Sequence, residues 1–483
     1  MICAWVRSSL HDQPLIVPVD WIEADDERQS AEGWIAELEE PDKYTYTGRV
    51  LLMNELEQTQ TEIRGRVRSR EYMLVQGISV QKGKRPECRR CGNHNRRRFA
   101  TNRCSWCKSN DCLYCRECIG MGKVTRCTPL VAETARPAFP EQQLHWSGAL
   151  TAMQIKASER MVQSLKGEAH QEQLIWAVCG AGKTEMLFPA LIEAVRQQKI
   201  ILIATPRTDV VLELIPRLKK AFPTLQIAGL YGGSDQRFHS AQLFISTTHQ
   251  ARRFHNYFDV VIVDEVDAFP YSYDSTLAFA VQKSSTRTAH TFYLSATPDK
   301  KLTKRLGSTG QIVKVKRRFH GYPLPTPRFS WIGNWKREYE KTKTSRYLLN
   351  WISKKDEARR RTLIFVPNRS MAEKLAEFIG RSDITSVHSE DPSRKEIVEQ
   401  FRRGEYQHLF TTTILERGVT FPSIDVAVFG AEDDIFTTAA LVQIAGRAGR
   451  SAADPTGDVV FFHYGKTKAM ASAVRMIKEM NRS

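Results

Sequence analysis

The sequence predicts an α/β protein: two parallel-sheet domains in tandem, preceded by a cysteine-rich module and a small N-terminal domain. Three observations carry this. From about residue 150 onward, apolar runs such as "IILIAT", "LFIST" and "VVIV" alternate with helical patterns, as expected of strands covered on both faces by crossover helices. The Gly-rich stretch "AVCGAGKT" (177–184) follows an apolar strand and opens a helix, the context a phosphate-cradling loop requires. Eight of ten cysteines fall between residues 88 and 127. A chain of 483 residues is long for one core. The expected division is 1–80 for the small N-terminal domain, 81–136 for the metal module, and 137–330 and 331–483 for the two α/β domains.

Composition narrows the class. The formal charge of +17 favours an anionic polymer as partner. Residues 1–80 carry 8 Lys/Arg against 15 Asp/Glu, net −7, whereas residues 81–136 carry 14 against 4, net +10. The sign changes where the cysteines begin. No run of 18 apolar residues exists, so no spanning helix is expected. The start is too short and polar for a secretory leader. A cytoplasmic location is expected, with peripheral attachment at the inner face of the cell membrane left open.

In the N-terminal domain, "KYTYTGRVLLMNEL" reads as a strand and "TEIRGRVRSREYMLVQGISVQ" as one or two more, with no evident chemistry and protein contact or a structural cover as the expected role. The cysteines say more. Clustering of this kind in a reducing compartment favours metal over disulfides. Cys88-x2-Cys91 and Cys104-x2-Cys107 are two knuckles whose four thiolates suit one tetrahedral zinc. Cys112, Cys115, Cys118 and Cys127 could furnish a second site or divide between ligation and packing, and His94 reads as a polar loop residue. Arg89, Arg90, Arg96, Arg97, Arg98 and Arg103, interleaved with Phe99 and Trp106, suit a single strand, with phosphates on guanidinium groups and bases on rings.

Within 177–184, Gly180 and Gly182 let backbone N–H groups turn inward to form an anion nest. Lys183 would reach the β- and γ-phosphates of ATP, and the Thr184 hydroxyl would reach Mg²⁺. Gln154, on a helix expected over 151–167, either reads the base or is ordinary surface. The stretch "VVIVDEVD" ends a strand in acids. Asp264 would hold Mg²⁺, Glu265 would orient and deprotonate the attacking water, and Asp267 would link to the second domain. Ser295 and Thr297 would couple the hydrolysis site to a bound strand. Arg207, Thr247 and Thr248 lie on loops expected to meet a nucleic-acid backbone. "PLPTPRFSWIGNWKREYEKTK" reads as a linker. Beyond it, "QIAGRAGR" places Gln443, Arg447 and Arg450 at intervals expected to share a helical face. Arg450 would neutralise the transferred phosphoryl group, with Arg447 in support and Gln443 on the nucleotide.

The phosphate loop, "DEVD", "SAT", "TTTILERGVTFP" and "QIAGRAGR", in that order, resemble superfamily 2 helicases, which implies two RecA-like domains. More narrowly, "CLYCRECIGMG", "GAGKTEM" and "DEVDAFPYSYD" resemble the late-competence helicase family ComFA. That resemblance implies a cytosolic ATPase stimulated by single-stranded DNA, one that helps draw transforming DNA through the inner-membrane channel. It implies ATP, Mg²⁺ and Zn²⁺ as cofactors, with zinc on Cys88, Cys91, Cys104 and Cys107. As partners it implies a phosphoribosyltransferase-like competence protein and a DNA-processing protein. The expected activity is single-stranded-DNA translocation. The rivals are a duplex-unwinding helicase of replication restart or repair, and an ATP-switched nucleic-acid scaffold without motor action. The restart helicase carries its zinc cysteines inside the second motor half, unlike this chain, and no wedge-like insertion marks a duplex separator.

Overall fold

Parallel strands that are apolar on both faces need helices above and below, and the apolar runs of this chain meet that need twice. The computed structural model describes residues 46–69, 71–80, 84–105, 107–133, 136–142, 144–167, 170–417 and 421–482, together with the backbone of the paired strands Cys3–Val6 and Leu15–Pro18. The first sheet has seven parallel strands in the spatial order Ile227–Leu230, Leu243–Thr247, Ile201–Thr205, Phe258–Val263, Ser285–Ser295, Glu172–Ala177 and Ile312–Val315. Its inner strand Ile201–Thr205 is buried at every residue. The second sheet has six parallel strands in the order Arg328–Trp331, Val459–His463, Ile424–Phe429, Arg361–Phe365, His408–Thr411 and Ile384–Val387. These are the two RecA-like domains. The stretch expected to be a linker is partly structured: Arg328–Trp331 is the outer strand of the second sheet, and Trp335–Glu340 is a helix whose Trp335 is buried in that domain's core.

Ahead of the first sheet, Pro129–Glu133 pairs antiparallel between Val50–Leu52 and Tyr72–Gln76. This small sheet crosses the division expected at residue 80, because its middle strand comes from beyond the cysteines. "TEIRGRVRS" is not a strand. Gln60–Arg68 is a helix, started by a reciprocal capping box between Thr59 and Glu62. The T-x-x-E signature favours that outcome, and Ile63 is the helix's buried residue.

Candidate nucleotide cleft and paired metal clusters

The strand Glu172–Ala177 ends at the phosphate loop, and the helix Lys183–Arg196 begins directly after it. Gly182 is the N-cap at φ +68°, a conformation that suits glycine. A Cβ there would lie 2.4 Å from Gln154 Nε2. No side chain caps this helix, so its first-turn amides can take ligand oxygens. The loop opens into a cleft of about 570 Å³ between the two domains. Gly180, Gly182, Lys183, Thr184, Gln154, Asp264 and Glu265 line it from one side, and Gln443, Arg447 and Arg450 from the other. The cleft thus brings together every residue that the sequence assigned to the nucleotide.

Several of these side chains are held differently from expectation. The Gln154 carbonyl accepts from Thr151 N–H at 2.7 Å, and its amide donates to the Ala181 carbonyl at 2.8 Å. Its first job is therefore to brace the phosphate loop. The helix carrying Gln443 ends at Ala445, so Arg447 and Arg450 stand on the turn that follows rather than on a helical face. Arg447 is buried and donates from Nε to the Glu416 carbonyl at 2.9 Å. Burial and the neighbouring Arg450 push its pKa down. Gln443 accepts from the Cys179 thiol at 2.9 Å, while its Nε2 is buried with no protein partner. An orphaned donor beside Lys183 and the arginines fits a polyphosphate ligand. Gly446 lets the two domains close to contact, since a Cβ there would lie 2.4 Å from that of Cys179.

The acids are graded by environment. Burial above all, with the Glu265 charge added, raises Asp264 to about 6 against the downward pull of Lys183. Glu265 sits at φ +54°, unusual for a residue with a side chain and a form of strain that collects at functional sites. Its N–H donates to Asp264 Oδ1 at 2.9 Å and its carbonyl accepts from Ala268 N–H at 2.8 Å, which fixes the turn. Asp267 accepts from Ser295 and Thr297 hydroxyls, each at 2.6 Å, and from Arg417 of the second domain at 2.5 Å. Burial would raise its pKa, but Arg417 and the two hydroxyls bring it down to about 2.

Arg207, Thr247 and Thr248 are not spread over an outer surface. Arg207 is paired with Glu416 of the second domain at 2.9 Å, and both threonines are buried. The expectation that these side chains meet a nucleic-acid backbone is not carried by this arrangement.

The eight cysteines form two four-sulfur groups, grouped differently from the sequence expectation. Cys88 and Cys91 meet Cys115 and Cys118, whereas Cys104 and Cys107 meet Cys112 and Cys127. Within each group the ligand atoms all lie within 4.8 Å of one another. Neighbouring sulfurs are 3.7 and 3.6 Å apart in the first group and 3.4 and 3.6 Å in the second. Tetrahedral zinc with bonds of about 2.3 Å would set sulfurs about 3.8 Å apart, while a disulfide needs about 2.05 Å. Both groups fit a metal. The topology explains the partition. Phe99–Asn102 pairs with Cys112–Cys115 as a hairpin, so Cys112 and Cys115 sit at opposite ends of one strand. Three steps of about 3.3 Å separate them, too far to share an ion.

A search for relatives agrees with this architecture. Residues 39–132 match the model of the competence protein ComFA N-terminal domain, residues 147–300 that of the type III restriction enzyme res subunit, and residues 340–452 that of the helicase conserved C-terminal domain. Competence protein ComFA of Bacillus subtilis is 46% identical over 443 residues, covering 90% of this chain and 94% of that protein. The chain belongs to the ComFA family. ComFA of Streptococcus pneumoniae is 36% identical over 90% of this chain and 98% of its own. Among solved structures, S. cerevisiae Dbp5 bound to RNA and ADP BeF3 shares the fold, with TM-score 0.50 at 14% identity, covering 69% of this chain and 92% of that one. This ComFA-family chain is therefore a competence-related superfamily 2 helicase-type ATPase. No helix among the described residues is long and apolar enough to cross a membrane.

Sequence reasoning missed three further residues. Arg417 is buried, pairs with Asp267, and lies 3.6 Å from Glu265 and 3.4 Å from Glu416. Burial alone would lower its pKa, but those three acids raise it. Its signal is local: it stands in "TTTILERGVTFP", one of the stretches that resemble superfamily 2 helicases. Glu55, in the segment read as free of chemistry, bonds Arg90 at 2.6 Å and Arg253 at 2.9 Å. Lys283 adds donations to the Arg90 and Arg252 carbonyls at 2.5 and 2.9 Å. The first cysteine group is thereby fastened to the first RecA-like domain, and nothing local in the sequence announces it. Fastening also revises the expected single-strand platform. Arg90 and Phe99 are buried, Trp106 lies outside the described residues, and Arg89, Arg96, Arg97, Arg98 and Arg103 remain outward-facing.

Proposed function

We propose that this ATPase is a single-stranded-DNA translocase that helps take up transforming DNA in competent cells. The observation that carries the reading is the two-sided cleft. Lys183, Thr184, Asp264 and Glu265 come from one domain, and Gln443, Arg447 and Arg450 from the other. Hydrolysis then requires closure, and release of products permits opening. Lys183 and the first-turn amides would bind the β- and γ-phosphates, and Thr184 and Asp264 would hold Mg²⁺, which supplies charge neutralisation when bound. Glu265 takes the proton of the attacking water, and Arg450 faces the charge that develops. Arg417 ties Glu265 and Asp267 to the second domain, so the water-activating side chain responds to domain position. Zinc in both cysteine groups would hold the outward arginines as a strand grip or partner surface. Partners on this reading are single-stranded DNA, a phosphoribosyltransferase-like competence protein, a DNA-processing protein and the inner-membrane channel. ATP turnover at saturating strand concentration, measured against strand length, tests it. A translocase turns over faster on longer strands until end effects vanish. Length-independent turnover supports an ATP-switched scaffold, and displacement of a tailed duplex supports an unwinding helicase.

A further inference from the structure

Residues Arg318 to His320 connect the two sheets, and each touches the nucleotide cleft's own framework. Phe319 N–H donates to the Gly180 carbonyl of the phosphate loop at 3.0 Å. The buried Arg318 guanidinium donates to the carbonyls of Gly446 and Gly449 on the arginine-bearing turn. The His320 ring meets the same Gly449 carbonyl at 3.2 Å. The connection is thus pinned to both domains at the level of the backbone. The Phe319 ring is left 49% exposed and lines the cleft. Its Cβ lies 3.6 Å from where a Cβ on Gly182 would stand, so the ring borders the phosphate loop. It is the one aromatic side chain lining the cleft among the described residues.

An exposed ring on a rigid backbone, beside a phosphate site, is placed to take the flat face of a base. Gln154, the residue expected to read that base, has its amide committed to Thr151 and Ala181. We propose that Phe319 is the stacking wall for the nucleobase of the bound nucleotide, and that ring contact supplies most of the affinity for the base. Every base has a π-face, so this wall favours a base without strongly selecting one. The inference rests on the phosphate-loop reading above.

The test compares wild type, Phe319→Ala, Phe319→Leu and Phe319→Trp. The readouts are KM and kcat for ATP and GTP, and the inhibition constant of inorganic tripolyphosphate, which has phosphates and no base. Phe319→Ala is expected to raise both KM values roughly tenfold, with kcat and tripolyphosphate inhibition unchanged. Phe319→Leu should fall between, and Phe319→Trp should restore KM. Unchanged KM in Phe319→Ala would overturn the proposal. So would an equal weakening of tripolyphosphate, because the ring would then act only by shaping the loop. Failure of tripolyphosphate to compete in the wild type would overturn the phosphate-loop reading, and the proposal with it.

Discussion

Among its contacts with the rest of the chain, the first RecA-like domain makes two buried arginine–carboxylate joints, one at the cysteine module and one at the second RecA-like domain. At the cysteine module, Glu55 sits between Arg90 and Arg253 with little exposure on any of the three. At the second RecA-like domain, Arg417 sits among Asp267, Glu265 and Glu416. The chemistry is shared, but the surroundings differ. The first joint stands beside the buried cysteines and the Lys283 ammonium, and none of its residues lines the nucleotide cleft. The second borders a cavity of about 570 Å³, and one of its acids is the strained Glu265. On the proposed function, the same kind of ion pair serves as a weld at the cysteine module and as a responsive contact beside the nucleotide cleft. Removing one partner of a buried pair leaves an uncompensated charge in either place. Only at the second should the loss appear first in turnover.

The largest expected effect is at the responsive joint's cleft. Arg450→Ala should lower ATP hydrolysis by roughly 10³-fold and leave the thermal unfolding midpoint unchanged. A steady-state assay paired with a melting curve checks both. The counterpart at the weld is Glu55→Gln, expected to destabilise the fold by about 3–5 kcal/mol, read as a shifted denaturant midpoint. Turnover per folded molecule should change little. The two cysteine groups sharpen the contrast. Zinc analysis should find two ions per chain, falling to about one in either Cys115→Ser or Cys104→Ser. Cys115→Ser should also lower the unfolding midpoint, because its group backs onto the weld. Cys104→Ser should spare it, because Cys104 and Cys107 are half-exposed at the outer group, and should weaken nucleic-acid or partner binding instead. Unaltered zinc in both variants would sink the assignment of either group. Acidification separates the joints more gently. The pKa of Asp267 is depressed to about 2 in the fold, so its contribution is complete above the ordinary Asp value of about 3.9 and fades only as pH falls toward 2. Arg417→Lys should therefore show no added pH sensitivity between pH 5 and 8. The smallest effect belongs to the rim. Arg394 pairs with Asp209 across the domains at 2.7 Å, partly exposed, and Arg394→Ala should cost about 1 kcal/mol or less.

How much could be read in advance follows the range of each interaction. The phosphate loop, the acidic strand end and "QIAGRAGR" are local patterns, and the cleft gathers those of their residues that were assigned to the nucleotide. Both parallel sheets are legible through their inner strands, which are apolar on both faces, whereas the exposed outer strand Arg328–Trp331 reads as linker. The cysteine grouping was not. Spacing shows that Cys88 and Cys91 share a knuckle, but only the hairpin shows that Cys115, not Cys104, comes opposite. Arg90 and Phe99 looked like part of a strand-binding surface, and tertiary packing turned them inward. Arg207 looked like a phosphate contact until Glu416, over 200 residues away, took its guanidinium. "TEIRGRVRSREYMLVQGISVQ" does hold two strands, Tyr72–Gln76 and Ile78–Ser79, but the helix Gln60–Arg68 ahead of them was not anticipated although its capping box is local.

On the proposed function, Arg417 couples Glu265 to the position of the second domain, and so to a bound strand. The most direct measurement is steady-state ATP hydrolysis by wild type and Arg417→Ala at fixed salt, without polymer and with single-stranded DNA, duplex DNA or single-stranded RNA. Salt must be held because phosphate contacts weaken steeply with it. The account predicts that single-stranded DNA raises wild-type turnover well above the other polymers, and that Arg417→Ala binds the strand yet stays at the basal rate. Equal stimulation of both proteins would contradict it.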